Sequence, residues 1–221
     1  MTLKNVKAEI NAAFKEFKKY GSARQLAITE KNNIVRECRE SIATLHSANS
    51  ASGVDRDDLI KDAQEKAEKA GQMLKTLQTR MKTDYGKSWR RDIGVFLSDA
   101  EQEIVEAFSV LAIIKREEIP PMDVPFRSQD PDSYLKTKTT VRVSDDAYVL
   151  GLLDCALELK RVVLDSLERG DDVHANGVFK TMHELFNELE RFMQFSNSVD
   201  GLKVKIDTAR YQVNETRKLL P

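Results

Sequence analysis

The stretch from Ile93 to Arg116 does more than any other to limit what this chain can become. Ile93, Phe96, Leu97, Ala100, Ile104, Ala107, Phe108, Leu111 and Ile114 recur at intervals of three and four. That spacing predicts one continuous helix with a core-facing stripe. At roughly 100° per residue, Glu103 falls at the edge of the stripe and Glu106 beside it. Val110 and Ile113 extend the same side further along the helix. The acidic pair is therefore held between two apolar strips instead of on an open face. A carboxylate in such a place needs a cationic partner or a metal ion.

A second helix poses the same question. From Ala147 to Glu168 the chain is apolar nearly all round, with Leu150, Leu152, Leu153, Leu159, Val162 and Val163, which predicts burial on most sides. Its narrow polar stripe carries Asp154, Glu158, Arg161 and Asp165, while Ala147 and Gly151 beside it leave room above the carboxylates. Asp154 and Glu158 stand four apart and share a face. Either acidic pair alone is common by chance in a chain that is 32% charged, and Arg161 could simply neutralise Glu158 or Asp154 as a buried ion pair. Both pairs together, on the two least polar helices, point further. Four convergent carboxylates without His or Cys suit a hard, oxygen-loving cation, Mg²⁺ or Mn²⁺. They lack the Glu-x-x-His of a di-iron bundle. His46, His174 and His183 are scattered and read as surface or capping residues.

The remaining pattern is helical. An amphipathic helix from Thr2 carries Val6, Ile10, Ala13, Phe14 and Phe17 on one stripe, with a break or kink expected at Tyr20-Gly21-Ser22. Helix resumes to about Ala48, and Ser47 to Val54 reads as a loop. Asp55 caps the next helix, which runs to about Lys82. Met122 to Val143 holds Pro125, Pro131, Lys136, Lys138 and Arg142 and shows no strand period, so it reads as a long irregular loop with a functional or mobile character. Asp171 and Asp172 cap a helix reaching Phe195, and the last helix spans Gly201 to Leu219. The expectation is an all-α protein, one domain over 1–221, built as a bundle of about six or seven long helices.

A net charge of −1 removes any globally basic surface, so nucleic-acid binding would need local segregation of cations. One such run holds Lys75, Arg80, Lys82, Lys87, Arg90 and Arg91, nearly free of acids apart from Asp84. Lys4, Lys7, Lys15, Lys18, Lys19 and Arg24 form a second set that reads equally well as an ordinary solvated face. Trp89 could stack on a base but reads as a packing residue. Cys38 and Cys155 lie in helical patterns and read as reduced, buried thiols of a cytoplasmic protein. No leader and no membrane-length apolar run is seen.

Gln102-Glu103-Ile104-Val105-Glu106-Ala107 resembles the acidic motif of the Trax (translin-associated factor X) branch of the translin family, as found in archaeal Trax-like proteins. Gly151, Asp154, Glu158, Leu159 and Arg161 are similar to that branch's second motif, Gly-x-x-Asp-x-x-x-Glu-Leu-x-Arg. The resemblance covers most of the chain and is weakest from Met122 to Val143. It implies a Mg²⁺-dependent endoribonuclease with Glu103, Glu106, Asp154 and Glu158 as catalytic, metal-binding residues. It also implies a hollow, football-shaped homo-octamer that encloses RNA, single-stranded or duplex, with single-stranded DNA or a translin-like partner chain as further associates. The basic-aromatic segment before the central helix departs from the family, reading Tyr85-Gly86-Lys87-Ser88-Trp89-Arg90-Arg91. Arg80, Lys82, Lys87, Arg90 and Arg91 are the RNA-binding candidates. Two other readings are a non-catalytic translin-like shell for RNA or single-stranded DNA, and an all-α nucleoside triphosphate pyrophosphohydrolase. The second acidic motif is one residue wider than the latter class uses.

Overall fold

The computed structural model describes residues 3–51, 53–127 and 138–221. The fold is all-α with one small β-hairpin among the described residues. Helix α1 runs unbroken over Leu3–Ser50, so the break expected at Tyr20-Gly21-Ser22 is absent. Ser22 does not cap a new helix; its hydroxyl donates back to the Lys18 carbonyl at 3.0 Å, the bonding pattern of a Ser inside a helix. Nothing lies near the missing Gly21 side chain, and a single mid-helix Gly costs only about 1 kcal/mol. The helix continues because nothing stops it.

Helix α2 spans Gly53–Tyr85 and lies along α1. Its start precedes Asp55, which sits in the first turn. The single helix expected from Ile93 is instead three pieces: α3 (Trp89–Ile93), a 3-10 segment (Gly94–Leu97) and α4 (Ser98–Lys115). The tighter 3-10 turn shifts the phase of the face, so Trp89, Ile93 and Leu97 all bury while Val95 faces outward. Arg116 ends α4 in a left-handed conformation, φ 60°. Its N–H and that of Glu117 close the last carbonyls, and Pro120 and Pro121 follow.

A second correction falls in the stretch read as irregular loop. Strands β1 (Asp123–Arg127) and β2 (Lys138–Arg142) pair antiparallel, with Val124 opposite Val141 and Phe126 opposite Thr139. Val124, Phe126, Val141 and Val143 bury against the bundle. Phe126 lies over Gly71 of α2, where a Cβ would stand 3.2 Å from its ring. The middle of the stretch, residues 128–137 with Pro131 and Lys136, lies outside the described residues.

Helix α5 (Asp145–Glu168) packs on α4, α6 (Asp172–Glu190) and α7 (Leu202–Arg217). Asp171 caps α6 by accepting the His174 N–H at 3.0 Å, and a 3-10 segment carries α6 on to Phe195. The core is where α4 and α5 meet α1 and α2; Ile34, Leu45, Leu74, Ile104, Leu153 and Leu159 have no exposed surface there. No helix among the described residues is long and apolar enough to cross a membrane.

Candidate functional site

Helices α4 and α5 approach most closely where Gly151 lies on the backbone of α4. A Cβ at Gly151 would stand 2.5 Å from the Gln102 carbonyl oxygen and 2.8 Å from Val105 Cβ. No side chain fits at that separation without moving a helix. The crossing sets the residues that follow Gln102 and Gly151 against each other, and these include both acidic pairs. Glu106 lies within electrostatic reach of Glu103, Asp154 and Glu158 together. Helix periodicity and one glycine thus bring four carboxyl groups into one half-buried cluster.

Three of the four carboxylates have a cationic or imidazole partner. Arg39 of α1 donates from Nη2 and Nε to one oxygen of Glu103, at 2.7 and 3.0 Å. Lys205 of α7 holds Asp154 through its ammonium. His46 of α1 bonds Glu158 through Nε2 at 2.6 Å. The His46 ring is buried and its Nδ1 has no partner. A proton on Nδ1 would be a buried, unpaired donor, so the proton sits on Nε2 and is donated to Glu158. Arg161, the sequence's candidate for neutralising this helix, is exposed and acts on Glu158 only at a distance.

Glu106 has no such partner: among the described residues it makes neither a hydrogen bond nor an ion pair. Burial, and then the charges of Asp154, Glu103 and Glu158, push its carboxyl up to about 8. Asp154 is raised as well, by burial, against the pull of Lys205. Glu158 moves the other way because His46 hydrogen-bonds its charged form. Burial, and then the nearby acids, raise the Cys38 and Cys155 thiols well above their ordinary range. They are inert packing groups close to the carboxylates, and both are free thiols.

The donor set contains only oxygens, which fits a hard cation. In the present arrangement, however, no three His, Cys, Asp or Glu side chains among the described residues stand where they could hold a metal ion. The ion pairs explain this. Asp154 and Glu103 are turned toward Lys205 and Arg39, so an ion could be gripped only after these long side chains let go. Arg39 is 71% exposed and can be released to water at little cost. His46 is 4% exposed and cannot leave.

The basic candidates are dispersed around one corner of the molecule. Arg80, Lys82, Lys87 and Arg91 are exposed on α2, the turn and α3, with Arg80 near Asp84 at 3.6 Å and Arg91 paired to Asp92 at 2.7 Å. Arg90 is engaged inside the fold, donating to Glu101 at 3.0 Å and to the Arg142 carbonyl at 3.0 Å, with its guanidinium over the Trp89 ring. Trp89 is buried, as a packing residue would be.

Sequence reasoning missed His46, Arg39 and Lys205. It set His46 aside as a surface or capping residue, which its burial against Glu158 corrects. It also passed over Glu101, the most enclosed acid of α4. Glu101 accepts from Arg90, Gln78, the Ser144 N–H and the Ser144 hydroxyl. The signal available for Glu101 was its place one turn before Val105 on the core side of the helix; nothing in the local sequence marks the other three.

The sequence matches the translin family over residues 24–219. It is 26% identical over 208 residues to an uncharacterised protein of Methanocaldococcus jannaschii, covering 94% of this chain and 79% of that protein. Its fold is similar to that of AfC3PO solved as a duplex RNA complex, with TM-score 0.71 and 21% identity, covering 95% of this chain and 93% of the other. A crystal structure of AfC3PO gives TM-score 0.71 and 22% identity, with 95% and 94% covered. A crystal structure of apo-NeC3PO gives 0.59 and 16%, with 95% and 94% covered.

Proposed function

This chain belongs to the translin family, and on that footing we propose that it is a Mg²⁺- or Mn²⁺-dependent endoribonuclease of the Trax type, enclosing and cleaving RNA inside an oligomeric shell. The observation that carries the reading is Glu106: a half-buried carboxylate without a partner among the described residues, beside three other acids, with its carboxyl raised to about 8. Such a cluster is costly unless a cation joins it. When bound, a divalent ion neutralises phosphate charge, activates a water and stabilises the leaving oxygen.

The roles of the chain's own residues follow from their partners. Glu103, Glu106 and Asp154 would hold the ion, two of them after releasing Arg39 and Lys205. Glu158 keeps His46, which fixes one carboxylate oxygen and leaves the other to orient the attacking water. Cys38 and Cys155, fully buried and with their thiols raised, pack close to the carboxylates and stay protonated.

RNA as substrate is supported by the solved AfC3PO complex with duplex RNA. Arg80, Lys82, Lys87 and Arg91 offer exposed cations to a phosphate backbone, and Arg90 holds that corner together. Binding through backbone charge falls steeply with salt and reads shape more than sequence. Assembly is supported by the first third of α1, where Val6, Ile10, Phe14, Phe17 and Tyr20 are all exposed along one side. An apolar stripe of that length needs a cover, which fits self-assembly to an octamer or docking of a translin-like chain. Two free cysteines are in keeping with a cytoplasmic setting.

A second reading is a non-catalytic translin-like shell for RNA or single-stranded DNA. The ion pairs on Glu103, Asp154 and Glu158 favour it, since a merely structural cluster would be neutralised in the same way. Incubation with single-stranded and duplex RNA, in Mg²⁺ or in EDTA, separates the two, with light scattering for the assembly. Cleavage that requires the ion is expected; binding with intact RNA in every lane would leave only the shell.

A further inference from the structure

We infer that the Lys205 ammonium is an internal stand-in for the divalent cation, occupying the acidic site until an ion displaces it. The inference rests on the cation-binding reading above and assigns a role to a residue outside the four acids. Lys205 is not a casual surface pairing. Helix α7 is fixed to the bundle by Leu202, Ile206, Ala209 and Val213, all buried. Lys205 sits beside that stripe and reaches across to α5, a helix 51 positions away in sequence, to bond Asp154. Both side chains are about three-quarters enclosed, at 26% and 23% exposed. The same ammonium also acts on Glu106. One mobile positive charge therefore serves the two acids that lie on opposite helices, the pair an ion would have to bridge.

The other two partners differ in kind. Arg39 is mostly in solvent and holds Glu103 from outside, whereas His46 is locked in the core. Lys205 alone combines enclosure with a flexible four-carbon stem that can withdraw toward water. Its ammonium already occupies an Asp154 oxygen that an ion would need, and no ligating trio stands among the described residues. Entry of an ion and departure of Lys205 are then one exchange, and the ammonium released at the rim is free to meet a phosphate.

The test measures Mn²⁺ affinity of the full-length chain by the loss of free-ion paramagnetic resonance signal, with thermal melts in EDTA and in saturating Mn²⁺. Lys205→Met removes the competitor, and the ion is expected to bind about tenfold tighter. That corresponds to about 1.4 kcal/mol, between the worth of an exposed and a buried pair. The variant should melt below wild type in EDTA and recover with Mn²⁺, while Lys205→Arg stays near wild type. Should Lys205→Met fail to fold, Lys205→Gln makes the same comparison. Unchanged or weaker binding in the Met and Gln variants, with wild type binding and Asp154→Asn not, would overturn the stand-in role and leave the cation site standing. No binding by wild type or by any Lys205 variant would overturn the site itself, and the role with it.

Discussion

Two glutamates on α4 are one helical turn and a half apart and live in opposite worlds. Glu101 is nearly fully enclosed and accepts from Arg90, Gln78 and both the backbone and hydroxyl of Ser144. Glu106 is half-buried, has no donor among the described residues, and faces three more acids. The first arrangement is what stability asks of a buried carboxylate: its charge is matched, and it also closes the N-terminus of α5. The second works against stability, and the close approach of the helices at Gly151 holds it in place. A saturated acid holds a fold together, and an unsaturated one is available to a ligand.

The comparison can be broken from either side. The largest effect is expected at the unsaturated end: Glu106→Gln should lower ion-dependent RNA cleavage by more than about a hundredfold, beyond the range typical of residues behind a metal's ligands. Its melting temperature in EDTA should stay level or rise, since the cost of holding a proton on a crowded acid far above its ordinary value is gone. An active Glu106→Gln protein would end the nuclease reading. At the saturated end, Glu101→Ala strands the Ser144 and Gln78 donors and half-exposed Arg90, and should cost about 1–3 kcal/mol in urea unfolding. A loss below about 1 kcal/mol would show that the two ends of α4 are alike after all. Gly151→Ala attacks the packing that both depend on. Overpacking should cost about 1–3 kcal/mol, and ion affinity should fall as the acids spread apart.

The last test is one of sign. In the ion-free protein Glu106 keeps its proton up to about pH 8, whereas its ordinary value is 4.5. Between those limits the folded chain binds a proton that the unfolded chain has released, so this group's contribution to stability declines as pH rises through the window. Asp154, also raised, adds in the same direction. Glu158, lowered by His46, contributes stability that is lost as the pH falls instead. Melts in EDTA from pH 5 to 8 should slope downward, and Glu106→Gln should flatten the slope. A steeper slope in the variant would contradict the assignment.

Much of this was legible in the sequence because it is local. The stripes through Ile104 and Leu153 set the two helices, and intervals of three and four put each acidic pair on one side. The all-α fold followed from the same periods. What could not be read is what depends on distant partners: Arg39 meets Glu103 across 64 positions and His46 meets Glu158 across 112. No spacing rule reaches that far, so His46 looked like a stray. The hairpin was hidden for a different reason. Each strand has five residues, Pro125 interrupts one of them, and the buried Val124 and Phe126 on β1 and Val141 on β2 are too few for a period to show. The 3-10 turn at Gly94 likewise changes phase by a fraction of a residue while every apolar position keeps its spacing.

The first twenty or so residues of α1 carry one more implication. They extend a helix already nucleated by its packed half, so their winding needs no costly first turn, but each added residue gains little by itself. With Ile10, Phe14 and Phe17 bare, the reach of the rod is governed by whatever settles on it. If the assembly proposed above covers this stripe, winding of the segment and encounter between molecules are a single equilibrium, and circular dichroism should lose ellipticity on dilution well before the body of the protein melts.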